Sequence, residues 1–199
     1  MHSESLQTGN GVTMAGPLLL KAHIFEDQRG FFFESWNAER FNQLLQADGQ
    51  QPCTFVQDNH SASSKGVLRG LHFQQAPHSQ AKLVRCVLGE IFDVAVDLRR
   101  SSSTFGCWVA AHLSAANRHQ LWIPEGFAHG FLTLSERAEV LYKVSDFRHA
   151  ESERSLRWDD PEVGVKWHGL TAPPLLSPKD AEADALSQLA AADVSGLFD

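Results

Sequence analysis

The chain has 199 residues, 43% of them hydrophobic, and a formal charge of -7. That length buries one sizeable core without demanding a second, and an acidic total with no Lys/Arg run excludes duplex nucleic acid, whose phosphates need a clustered basic surface. Cys53, Cys86 and Cys107 contain no CxxC pair and are poorly spaced for a disulfide framework, which points to a reducing, cytoplasmic setting.

The first residues, MHSESLQTGNGVTMAGPLLL, lack a basic stretch followed by a long apolar one. No later run reaches membrane-span length, so a protein with no membrane partner is expected. Residues 1–17 read as a loosely held extension, residues 18–199 as one domain with a helical tail, and the residues after Ala191 as loosely held again. In NAERFNQLLQ, Phe41, Leu44 and Leu45 recur at helical spacing behind Asn37, a natural N-cap. In KLVRCVLGEIFDVAVDL, Val84, Cys86 and Leu88 alternate with their neighbours, Gly89-Glu90 interrupts, and Phe92, Val94, Val96 and Leu98 alternate again, which predicts a hairpin. CWVAAHLS, GFLTLS and EVLYKVS keep the same period of two. An antiparallel sandwich or small barrel is therefore favoured over a parallel sheet. Ser177-Pro178-Lys179-Asp180 reads as a helix start that leads into AEADALSQLAAA, with Asp180 suited to a capping box.

Chemistry-bearing residues concentrate in FVQDNHSASSKGVLRGLHFQ. Strand alternation puts Leu68, Gly70, His72 and Gln74 on one face, and Val67, Arg69, Leu71 and Phe73 on the other. A face with Gly70, His72 and Gln74 is poor core material, yet spacing alone also suits a solvated sheet face. His129 lies among glycines and aromatics in LWIPEGFAHGFLTL, and Tyr142, the chain's one tyrosine, shares a strand face with Val140 and Val144. Either could equally be a satisfied core residue. None of the ten histidines forms a His-x-His pair, and the His72/His78 and His112/His119 spacings do not place ligands side by side on one strand face. A metal site would have to be assembled from distant parts, and none is expected.

Taken together, DQRGFFFES, TFVQDNHS, VLRGLHFQ, QAKLVRCVLGEIFDVAVDLR, STFGCWV, LWIPEGFAHGF, LYKVSDF and LSPKD resemble the dTDP-4-dehydrorhamnose 3,5-epimerase family, in this order and at similar spacing from about Leu18 to Ala183. The resemblance implies a mostly β cupin jelly roll with a few short helices. It also implies a homodimer in which the partner's N-terminal strand completes the site, and no cofactor or metal. The implied catalytic residues are His72 as base, Asp180 as its carboxylate and Tyr142 as acid on the opposite sugar face. The implied substrate contacts are Arg29, Glu34, Gln57, Asp58, Asn59, Arg69, Lys82, His129, Glu153 and Lys179. The implied reaction inverts carbons 3 and 5 of dTDP-4-dehydro-6-deoxy-D-glucose on the route to dTDP-rhamnose. Its alternatives are inversion at one carbon or ketone isomerisation on a similar dTDP-sugar. Where the family usually has a Tyr-Tyr pair, this chain has Phe147-Arg148.

Such chemistry suits these residue types. A C–H bond beside a ketone is acidic because the resulting carbanion delocalises as an enolate, and inversion needs a base on one face and an acid on the other. Histidine titrates near neutrality, and a phenol of pKa about 10 is protonated at pH 7. A shielded lysine, here Lys82, can stabilise the enolate oxygen.

Overall fold

A computed structural model describes residues 1–192, 197 and 198. The strands are β1 (His2–Gln7), β2 (Thr13–Lys21), β3 (Phe25–Asp27), β4 (Gly30–Phe32), β5 (Gln57–Ser64), β6 (Leu68–Gln74) and β7 (Lys82–Leu88). They continue as β8 (Glu90–Asp97), β9 (Trp108–Ser114), β10 (Gln120–Ile123), β11 (Phe127–Thr133), β12 (Arg137–Val144) and β13 (Glu153–Ser155). The helices are α1 (Ala38–Ala47), α2 (Pro178–Ala181) and α3 (Leu186–Ala192). A six-stranded sheet runs β1-β2-β10-β7-β12-β5, and it faces a five-stranded sheet ordered β13-β6-β11-β8-β9. The expected cupin jelly roll is the fold observed. Among the described residues no helix is long and apolar enough to cross a membrane.

Three apolar clusters make the sandwich. Val84, Cys86, Ile91, Ala95, Phe131 and Val140 fill the space between the sheets. Phe92, Val94, Val96 and Leu132 point out from the five-stranded sheet, where Leu156, Trp167, Leu186 and Leu197 cover them. This two-sided cover explains why β8 is buried almost throughout. The third cluster packs Phe41 and Leu45 of α1 against Leu18, Leu83 and Trp122 on the outside of the six-stranded sheet. Asn37 caps α1 by accepting from the Arg40 N–H at 3.1 Å, a bond worth about 1 kcal/mol.

Four local expectations are corrected. First, β7 and β8 form no hairpin: β7 pairs with β10 and β12, and β8 with β11 and β9, so the chain crosses between sheets at Gly89. Gly89 has a φ of +74°, and a Cβ there would lie 2.1 Å from the Arg137 carbonyl oxygen. Only glycine fits that corner. Second, Arg69 and His72 do not face opposite ways. His129 opposes His72 while Phe131 opposes Arg69, so β6 carries one residue more than β11 across that interval. This bulge turns both side chains inward.

Third, residues 1–17 are not loose, because β1 pairs along β2 and Met14, 1% exposed, joins the interior cluster. Burying that side chain offsets part of the ordering cost. Fourth, the C-terminal helix is two helices. Between them Asp184 accepts the Arg157 N–H at 2.8 Å and the Leu186 N–H donates to Asp160 at 2.8 Å, which pulls the chain out of helix. Of the tail after Ala191, residues 193–196 and 199 lie outside the described residues, while Leu197 is buried and Phe198 bridges to Arg99.

Candidate active site

The inward faces of several strands change from apolar to ionisable over a single pleat. On β7, Val84 is followed inward by Lys82; on β12, Val140 by Tyr142; on β11, Phe131 by His129. Two residues along a strand span roughly 6.5 Å, so the apolar filling ends and a polar cavity begins within one side-chain layer. The cavity holds about 560 Å³ and is lined by Arg69, His72, Lys82, His129, Tyr142, Arg148, Glu153, Lys179 and Asp180.

One wall belongs to β6. The Leu68 N–H donates to the Leu175 carbonyl at 3.0 Å and Leu175 bonds back to Gly66, which lays the segment before α2 along the start of β6. Ser177 caps α2 by accepting from the Asp180 N–H at 3.2 Å. The Asp180 carboxylate itself turns to His72 Nε2, 2.5 Å away, and is 3% exposed. Burial pushes the Asp180 carboxyl up, but the His72 ring, Ser177 and the Gly70 backbone together outweigh it and hold the group below the usual carboxylate range. Gly70, with a φ of +128°, packs its backbone on Gly130: a Cβ on Gly70 would meet the Gly130 Cα at 2.5 Å.

The opposite wall belongs to the six-stranded sheet. Tyr142 projects from β12, and burial raises its phenol above the usual value, against the opposing charge of Arg69. Lys82 is 7% exposed and donates to the His72 carbonyl oxygen at 3.0 Å. Burial lowers its ammonium to about 8, although Asp93 and Glu153 pull the other way. Deeper still, His129 Nε2 meets Asp93 at 2.6 Å, and burial keeps that ring below the usual histidine range.

The remaining residues divide by strand face. Gln57 and Asn59 point inward from β5 and line an adjoining cavity with His72, Lys82 and Tyr142. Asp58, one residue out of phase, faces away and pairs with Lys143 at 2.9 Å. Glu153 is held at 3.0 Å by both Arg148 and Lys179. Arg29 and Glu34 do not reach the cavity. Arg29 sits on the exposed β3–β4 ribbon paired with Asp27, and Glu34 accepts from Asn37 and Arg40. Two lining or supporting groups were absent from the expected set: Arg148, and Asp93, whose signal was a carboxylate in the middle of an otherwise apolar strand.

The sequence profile of the dTDP-4-dehydrorhamnose 3,5-epimerase family matches residues 12–188. The chain belongs to this family. It is 55% identical over 171 residues to the dTDP-4-dehydrorhamnose 3,5-epimerase of Salmonella typhimurium, covering 86% of this chain and 91% of that one. It is also 38% identical over 162 residues to a dTDP-4-dehydrorhamnose 3-epimerase of Streptomyces niveus, covering 81% of this chain and 75% of that one. The crystal structure of the Legionella pneumophila dTDP-6-deoxy-D-glucose-3,5-epimerase in complex with dTDP-4-keto-L-rhamnose superposes with a TM-score of 0.87 at 44% identity, covering 99% of this chain and 98% of that one. As a member of the epimerase family the chain is an isomerase of the kind that serves dTDP-rhamnose formation.

Proposed function

We propose that this isomerase inverts carbons 3 and 5 of dTDP-4-dehydro-6-deoxy-D-glucose through an enolate, giving dTDP-4-dehydro-L-rhamnose. The observation that carries the reading is that His72 and Tyr142 line one cavity from opposite sheets. With Nε2–H donating to Asp180, Nδ1 of His72 is the basic nitrogen, and it takes the proton from carbon. Asp180 fixes the ring's tautomer and stabilises the imidazolium that forms. Lys82, cationic at neutral pH, faces the charge that develops on the ketone oxygen. Tyr142 then delivers a proton from the other wall. Carbon keeps its oxidation state throughout, so the cycle needs no redox carrier. Arg69 and Lys179 supply charge for the diphosphate.

The test is proton NMR of the 4-keto sugar nucleotide incubated with the protein in heavy water. Deuterium entering with inversion at both carbons is the expected result. Exchange confined to carbon 3 would replace this reading with the one-carbon reaction, which the Streptomyces niveus relative and Arg148 make the second choice.

The same proposal includes a cytoplasmic homodimer. The three cysteines are free, as a reducing compartment requires. Arg29 and Glu34 lie outside their own cavity, beside Phe31 and Phe32, which are 56% and 70% exposed. An exposed apolar ribbon that carries an arginine, paired only with its neighbour Asp27, suits insertion into a second subunit's site. Mixing His72→Ala subunits with Arg29→Ala subunits should then restore part of the activity, because one shared site carries neither lesion. No recovery after confirmed subunit exchange would exclude this arrangement.

A further inference from the structure

We propose that His78, Asp146 and His149 bind one divalent transition-metal ion at the cavity rim, at a site separate from the groups that move protons. Their ligand atoms all lie within 4.8 Å of one another, and all three residues are partly buried. They come from two loops, β6–β7 and β12–β13, which explains why spacing along the sequence does not reveal them. His78 Nδ1 is 3.1 Å from the Asp146 carboxylate, and the His78 and His149 rings stack with centroids 3.4 Å apart and planes 10° from parallel.

The trio is held from below. Gln74, 3% exposed, donates to the His78 carbonyl at 2.7 Å and the Phe147 carbonyl at 3.1 Å, and accepts the His149 N–H at 2.8 Å. Gln80 donates to the Asp146 carbonyl at 2.7 Å. The backbones of all three ligand residues are thus tied by glutamine side chains, one of them buried, while their side chains point away into a shared, partly solvated space.

Two imidazoles and one carboxylate form a donor set for Zn²⁺, Ni²⁺ or Co²⁺, whereas Mg²⁺ and Ca²⁺ prefer oxygen alone. Three protein ligands also leave a coordination position for water. Parallel rings set their nitrogens side by side, so an ion about 2.0–2.1 Å from each requires the rings to hinge apart at their far edges. Both rings sit on loops, outside the strands of the sandwich. Ion binding therefore has a signature that an ordinary ion-pair cluster lacks: the stack opens.

The test uses the intact protein, stripped with chelator and titrated with Co²⁺ alone. One Co²⁺ per chain should bind with visible d–d absorption, Zn²⁺ should displace it, and in the diamagnetic Zn²⁺ form the ring protons of His78 and His149 should lose their stacking shift in NMR. His149→Ala and Asp146→Asn should each weaken binding at least as much as the loss of an outer-shell partner does, about 10–100-fold, while His72→Gln should not. Absence of binding, unchanged affinity in both rim variants, or loss of binding in His72→Gln would each overturn the proposal. The two rim variants are read together with their unfolding temperatures, so a misfolded one leaves the other to decide.

Discussion

Two histidine–aspartate pairs lie side by side, their histidines facing each other across β6 and β11, and their surroundings separate them. His72 meets Asp180 at 2.5 Å with a third of its side chain exposed to the cavity. His129 meets Asp93 at 2.6 Å with 8% of its side chain exposed, and Asp93 is fully buried. Nearly equal bonds thus serve different ends. A base that exchanges protons with substrate needs one open side, whereas the enclosed His129 ring, held neutral by burial, can only position charge around Lys82. Under the proposed mechanism it is burial, not bond length, that separates the two roles.

The largest expected effects test that division directly. His72→Gln keeps a donor for Asp180 but removes the base, and it should cost about 10²–10⁴-fold in kcat with little change in unfolding temperature. His129→Ala should do the reverse. It leaves the buried Asp93 without its hydrogen-bond donor, a loss of about 1–3 kcal/mol, or roughly 2–4 °C per kcal/mol in a chain of this size. Scanning calorimetry beside steady-state kinetics reads both. Similar melting losses for the two variants would erase the distinction.

A smaller effect comes from Lys82, which lies between the two pairs. Its folded pKa, about 8, lies below its ordinary value of 10.5. Turnover that needs the cation should be full well below pH 8 and fall about tenfold per pH unit above it, and Lys82→Arg should abolish that limb. The stability sign is opposite. Between about pH 8 and 10.5 the unfolded chain holds the proton that the folded one has lost, so this group makes the fold more stable as pH rises through that window. A kcat/KM profile flat to pH 10 in the parent would remove Lys82 from the mechanism.

Much of this arrangement was legible in the sequence, wherever local chemistry decides structure. The period-2 strands, the Asn37 cap and the Ser177-Pro178 helix start all follow from side-chain placement within a few residues. The errors arose where distant contacts decide. Alternation reads the same whether Gly89 turns a hairpin or crosses between sheets, and only the pairing of β7 with β12 and of β8 with β11 excludes the first. The bulge that brings Arg69 and His72 to one face depends on the register against β11. Asp180 was readable as a capping residue, and it is the bridge from α2 to β6 that turns its carboxylate to His72. His78 and His149 become neighbours only after two loops meet.

The central claim is that His72 and Tyr142 act from opposite walls, and Tyr142→Phe tests it most directly. The variant keeps the aromatic ring but lacks the transferable proton. Incubated with the 4-keto sugar nucleotide in heavy water and followed by proton NMR, it should still form the enolate and be reprotonated by His72 from the original face. Deuterium should therefore enter the starting sugar while inversion is strongly reduced, and His72→Ala should abolish both signals. Inversion by Tyr142→Phe at the parent rate would contradict the account, because the acid would then be another group or water.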